Sequence, residues 1–309
     1  MLTRRTLMIG SALALTAAAA RAQDWKSKYP ELVFAVVPAE NATGVVDRWT
    51  PFVDYLSREL GTKVTLRVAN DYAAVIEGQR AGNIQIAYYG PASFARARIV
   101  GVKTDAFAID VNSDGSKGYY SVFYVLAKSP YQKIEDLKGK AMAFVDPNPT
   151  SGNNMPRFVL DRMGIDPDQF FAKTVFAGSH ENAVLALAQG TVDVAANWWN
   201  AADDSNLTRM LDKGMLKNAD GSPMTKDDFR IILKSDLIIN SPTAYLSDLP
   251  DEAKAAIREA YLNAAKKAPD AYAKLSDGKN LPWAPVANAD YDKTIELVKF
   301  GDELRKKKS

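Results

Sequence analysis

Two long runs of β-branched and aromatic residues constrain this chain most. They are GYYSVFYVLAKSP at 118–130 and FRIILKSDLII at 229–239. Each reads as an extended strand. Between them the chain starts a strand–helix alternation afresh: strand AMAFV, helix RFVLDRMG, strand KTVFAG, helix HENAVLALAQG, strand VDVAANWW. Before them the same alternation runs through ELVFAVVP, the helix DRWTPFVDYLSRELG, KVTLRVA, DYAAVIEGQRAG and IQIAYYG. Strands alternating with helices predict an α/β protein with largely parallel sheets. A self-contained βα block inside another predicts one lobe interrupted by a second. We expect residues 23–128 plus 230–309 to form lobe 1 and residues 129–229 to form lobe 2. The two crossings would make a hinge, with a ligand cleft where the carboxyl ends of the strands face each other.

The front of the chain reads as an export signal spanning residues 1–22. Arg4 and Arg5 precede an apolar stretch, and Ala20-Arg21-Ala22 supplies a small-x-small cleavage pattern. TRRTLM also resembles a twin-arginine signal. Removing this segment, with its three arginines and no acid, takes the formal charge from +2 to −1. No basic stripe survives for nucleic acid. An exported chain without cysteine holds no disulfide, so a full hydrophobic core must stabilise it. One histidine and no cysteine leave little for a metal centre or an activated nucleophile, so no cofactor and no metal are expected.

Polar and glycine-rich segments gather at the predicted strand ends. Glu40 and Asn41 follow the first strand, and Tyr88-Tyr89-Gly90-Pro91 the third. In the second lobe come VDPNPTSGNN at 145–154, Gly178-Ser179-His180-Glu181-Asn182, and Asn197-Trp198-Trp199-Asn200. Thr150-Ser151-Gly152-Asn153 would open a helix, whose free N–H groups and dipole suit an anion. The two hydroxyls add donors and Gly152 permits close approach of the backbone. Equally, Thr150 or Ser151 is a simple helix cap. His180 reads as a ligand donor or a cap. Glu181 reads as a dipole-favoured surface acid or a contact for a ligand amine. Of Tyr88 and Tyr89, one must point each way, so one offers its hydroxyl to the cleft.

Five stretches together resemble the phosphonate/phosphite-binding proteins of ABC importers, a branch of the type II periplasmic binding proteins. They are RWTPFVDYLSRELG, DYAAVIEGQRAGNIQIAYYGPASF, DGSKGYYSVFYVLAKSP, DPNPTSGNNMP and AGSHENAVLALAQGTVDVAANW. The resemblance implies a two-lobed fold with two crossover strands and a non-catalytic, monomeric receptor in the periplasm. It would deliver a small phosphorus oxyanion to a permease and its ATPase. Tyr89, Thr150, Ser151, Gly152 and His180 would cradle the oxyanion. Glu181, Glu40, Asn41 and Asn197 would stand close by. Two departures accompany it. Pro149 stands where a further serine is usual, and Asn240 and Ser241 stand where members that bind aminophosphonates carry an acid. An exported hydrolase of phosphorus esters and a ligand sensor feeding a membrane signalling partner are the alternatives.

Overall fold

A computed structural model describes residues 25–306; the export signal read at 1–22 lies outside the described residues. Two sheets organise the fold. In the first, β1 (Glu31–Val36) lies between β2 (Lys63–Val68) and β3 (Ile86–Tyr88), parallel to both. Helix α1 (Ala42–Leu60) joins β1 to β2, α2 (Tyr72–Arg80) joins β2 to β3, and α3 (Pro91–Ile99) leads to β4 (Thr104–Asn112). The periodicity seen in the sequence sets α1 on the sheet: Trp49, Phe52, Val53, Leu56 and Leu60 are all buried, and Gly61 ends the helix at φ 59°.

The second sheet begins with β5 (Gly118–Leu126). It continues with β6 (Ala141–Phe144), helices α4 (Met155–Arg162) and α5 (Pro167–Phe170), β7 (Lys173–Phe176), α6 (His180–Ala188) and β8 (Val194–Ala201). The short β9 (Asp204–Ser205), α7 (Asn206–Asp212) and β10 (Phe229–Lys234) complete it. β6 is parallel to β7 and β8, while β5 is antiparallel to β8 and β10.

Both long extended runs therefore hydrogen bond into the second sheet. β5 falls on the first-lobe side of the boundary drawn from the sequence, and so does β10 from Arg230 onward. The pairing that holds them is nonetheless to β8 and to each other. The second run is also not one strand. It breaks at Ser235-Asp236-Leu237 before β11 (Ile238–Ile239), which pairs with the start of β5.

The chain returns to the first sheet through β12 (Pro242–Leu246), antiparallel to β3 and β4. Helices α8 (Asp251–Leu262), α9 (Ala264–Lys267) and α10 (Pro269–Ser276) follow, then β13 (Asn280–Pro285) and α11 (Asp292–Lys306). NLPWAP, despite its two prolines, is an edge strand on β4, where a missing N–H is tolerated.

The two crossings are bound to each other. Asn240 N donates to Lys117 O (2.9 Å), and its side-chain amide donates to Asp110 O (3.0 Å) and Asn112 Oδ1 (3.1 Å). Asn112 in turn donates to Gly118 O (2.7 Å). A Cβ on Gly118 would stand 2.8 Å from the Ile238 carbonyl, so only glycine lets the crossings approach this closely. One buried cluster runs through both sheets, from Ala35 and Ala87 to Val122, Ala143 and Ala195. An aromatic cluster of Phe34, Trp49, Phe52, Tyr261 and Trp283 fills the far side of the first sheet.

Candidate ligand-binding cleft

A cavity of about 150 Å³ lies between the sheets, lined from both. Four chain turns open onto it or stand beside it, and each begins a helix. Asn41 caps α1 by accepting from Gly44 N (2.9 Å). Gly90 starts α3 with no side-chain cap, and Ser179 caps α6 by accepting from Asn182 N (3.1 Å). The fourth turn departs from the simple helix start expected: Thr150–Asn154 is a wide π-helical turn that runs into α4, and all five residues are buried. π turns place extra backbone at a site and recur where function is housed.

Thr150 and Ser151 both line the cavity. Thr150 Oγ1 accepts from Ala92 N across the cleft (2.8 Å), so its own proton is free to point elsewhere. Ser121 Oγ donates to Ser151 O (2.7 Å) and fixes the turn from β5. Tyr119 lines the same wall. Burial pushes its hydroxyl up to about 12, opposed by hydrogen bonding with Thr150 and Ser151. Gly152 does not line the cavity. Its Cβ would lie 2.5 Å from Val145 Cγ2 and 3.2 Å from His180 Cε1, so its smallness serves packing of the turn on β6 and on His180.

His180 lines the cavity at 4% exposure, and its Nδ1 has no hydrogen-bond partner. Burial pushes its pKa down to about 4, with Asn197 pulling weakly the other way, so the ring is neutral. Asn197 is fully buried behind it and donates to His180 O (2.9 Å). It holds the histidine and does not line the cavity.

Glu181 and Asn41 meet each other. One carboxylate oxygen of Glu181 accepts from Asn41 N and Asn41 Nδ2, both at 2.7 Å, and neither residue lines the cavity. His180 N donates to Ala39 O beside them (3.2 Å). This is a latch from α6 to the end of β1. Tyr89 is fully buried away from the cleft, its hydroxyl donating to Gln79 Oε1 (2.9 Å). The tyrosine on the cavity is Tyr88, whose hydroxyl donates to Asp110 (2.5 Å).

A second cluster on the cavity wall is charged. Arg48 is ion-paired with Glu40 and donates to Leu275 O. Glu40 also faces Lys213 from the other sheet (3.5 Å). Arg209 pairs with Asp204 (3.4 Å) and with Asp277 across the cleft (3.5 Å), and lies over the Trp198 ring. Burial and the nearby Arg209 charge push Arg48 down to about 10. Asp110 is raised by burial, against hydrogen bonds from Tyr88 and Trp283 Nε1 (2.7 Å). Ser241 and Asn240 line the cavity near it, at the positions where the sequence lacked an acid.

The family model described as "ABC transporter, phosphonate, periplasmic substrate-binding protein" matches residues 34–291. The chain belongs to this family. It is 34% identical over 258 residues to the phosphonates-binding periplasmic protein of Escherichia coli (strain K12), covering 82% of this chain and 71% of that one. It is 31% identical over 284 residues to the phosphate-import protein PhnD of Mycolicibacterium smegmatis, covering 85% and 84%. Its fold superposes with a TM-score of 0.71, at 26% identity, on a binding-protein component of an ABC phosphonate transporter from Pseudomonas aeruginosa. That match covers 86% of this chain and 83% of the other. As a member, the chain is a two-lobed substrate-binding component of an ABC importer and not an enzyme, which removes the hydrolase reading.

Tyr119 and the charged cavity residues Arg48, Asp110 and Arg209 are absent from the residues expected at the ligand, and each of the three charges left a trace. Arg48 stands among Val45, Trp49 and Phe52 on the buried stripe of α1. Asp110 interrupts an otherwise buried strand. Arg209 sits in α7 between the buried Thr208 and Met210. A charge on a buried face is the signal that all three share.

Proposed function

We propose that this receptor encloses a phosphonate or a related phosphorus oxyanion between its lobes and hands it, as a monomer, to a membrane permease driven by an ATPase. The names of its relatives supply the ligand class. The observation that carries the reading is the convergence of Thr150, Ser151, Tyr119 and His180 on one enclosed cavity, beside four helix-opening turns. Hydroxyls, backbone N–H groups and helix starts together satisfy three oxygens of a tetrahedral anion. Closure shuts water out and strengthens each of these bonds. Export through the signal at residues 1–22, of twin-arginine type, brings the chain to the periplasm.

We further assign the lobes by sheet membership: residues 25–112 with 240–306, and residues 118–234, joined by the paired crossings. Of the nine residues expected at the ligand, we retain Thr150, Ser151 and His180 as direct contacts. We add Tyr119 and drop Tyr89, which is buried away from the cavity; Tyr88 lines the cavity but spends its hydroxyl proton on Asp110. Gly152, Asn197, Asn41, Glu181 and Glu40 shape or close the site.

Calorimetric titration of the refolded mature protein with methylphosphonate, aminoethylphosphonate, phosphite, phosphate and sulfate tests the assignment. One-to-one binding of a phosphorus species, weakened at least tenfold by Thr150→Ala, is the expected result. No binding across the panel would overturn it. Growth on the bound ligand with the permease deleted separates import from sensing.

A further inference from the structure

The cavity divides its charges unequally. Arg48, Asp110 and Arg209 form one cluster whose charges are paired or hydrogen bonded within the protein, although Arg48 Nε and Arg209 Nε have no hydrogen-bond partner. Thr150, Ser151, Tyr119 and His180 form another, and none of them carries a charge. A doubly charged anion in the second cluster would be hydrogen bonded by neutral groups alone, with the paired Arg48 and Arg209 elsewhere on the same cavity wall. His180, by contrast, brings a group that an anion alone does not need. A neutral imidazole has one donor nitrogen and one lone-pair nitrogen, whichever tautomer is present. Nδ1 is buried with no partner within the protein, and His180 lines the cavity.

We propose that the site captures its oxyanion together with one proton, shared between His180 and a ligand oxygen. The inference rests on the phosphorus-oxyanion reading and specifies the form that is bound. A singly charged hydrogenphosphonate offers an O–H to the imidazole lone pair. A dianion entering from solution takes the proton up from solvent on binding, and the complex is the same. A sulfonate matches the shape and the single charge but has no proton to share, so the site rejects it.

The elements packed around His180 hold several other titratable groups. Glu181, on its own helix, is engaged by Asn41. Glu40, on the loop after β1, is paired with Arg48 and Lys213. Tyr119 on β5 is held in its protonated form by burial. Burial, and not a neighbouring charge, keeps His180 neutral. Asp110 is a cavity carboxyl raised toward its protonated state, so the experiment must separate it from His180.

The test is calorimetry with methylphosphonate on the mature protein, in two buffers of different ionisation enthalpy. The pH is set two units above the ligand's measured second ionisation. The expected result is uptake of close to one proton per ligand, with affinity falling about tenfold for each further pH unit, as one-proton linkage requires. Methanesulfonate should bind at least about a hundredfold more weakly. His180→Phe, which keeps ring bulk without a lone pair, should abolish the uptake. Asp110→Asn should leave it intact. Should His180→Phe fail to fold, wild-type uptake and the sulfonate comparison still decide the matter. Binding without proton uptake, or tight binding of methanesulfonate, would overturn this inference alone. Uptake lost in Asp110→Asn but kept in His180→Phe would reassign the proton and overturn it too. No binding of any phosphorus oxyanion at any pH would remove the reading beneath it as well.

Discussion

The two clusters on the cavity wall solve opposite problems with the same tool. Around His180, burial removes a positive charge; around Asp110, burial works against a negative one. The first cluster therefore stays neutral and leaves polarity unspent for a ligand. The second is stitched to its own partners: Arg48 to Glu40 and Leu275 O, Arg209 to Asp204 and Asp277, Asp110 to Tyr88 and Trp283. What separates the two is net charge and not the presence of unpartnered atoms, since Arg48 Nε and Arg209 Nε lack a hydrogen-bond partner just as His180 Nδ1 does.

The sharpest way to break this comparison is pH. The folded pKa of His180, about 4, lies below its unfolded value of 6.5. The unfolded chain therefore binds the proton first, and the contribution to stability is complete above pH 6.5 and is lost as pH falls toward 4. The loss is about 3 kcal/mol at 1.36 per unit. Urea melts across that window should show it in the wild type and not in His180→Phe. Asp110 carries the opposite sign: with its folded pKa raised, its contribution is complete below the unfolded value and declines as pH rises.

Next in size, Gly152→Ala forces a methyl against Val145 and should cost about 1–3 kcal/mol by overpacking. Thermal melting would register this, along with weakened binding as the turn shifts. Glu181→Gln removes the charge from two 2.7 Å bonds of the latch and should cost about 1.5 kcal/mol of closure. Calorimetry should then show every ligand weakened by a similar factor. Smallest is Lys213→Ala at the rim, where Lys213 faces Glu40 at 3.5 Å with partial exposure. It should change affinity by under 1 kcal/mol, and less at high salt. An effect as large as that of Glu181→Gln would mean that the charged cluster and not the latch governs closure.

Much of this was readable from one chain. Helix spacing in DRWTPFVDYLSRELG named the buried stripe of α1, and the alternation of strands and helices named the architecture. Thr150, Ser151 and Gly152 marked the turn that reaches the cavity, of which Thr150 and Ser151 line it. Facing was not readable for the tyrosine pair. β3 is three residues long, so no alternating pattern tells Tyr88 from Tyr89, and a slip of one residue exchanges cavity for core. Nor was the partner of Glu181 readable, since Asn41 lies 140 positions away and meets it only when the sheets are apposed. Local chemistry survives in sequence order, but a bond between lobes does not.

That bond separates two properties that are usually discussed together. Asn41 and Glu181 close on each other without touching the cavity, and Asn41 keeps its cap on α1 meanwhile. Strengthening or weakening the bond would therefore change how often the empty receptor visits a shut form. Apparent affinity is intrinsic affinity scaled by that fraction. Drift at positions 41 or 181 would raise or lower the grip on all cargo alike, and drift at 150, 151 or 180 would change which cargo wins. A lineage could thus follow scarcity and abundance of its nutrient through one pair of residues, while its chemical preference stayed fixed in another set.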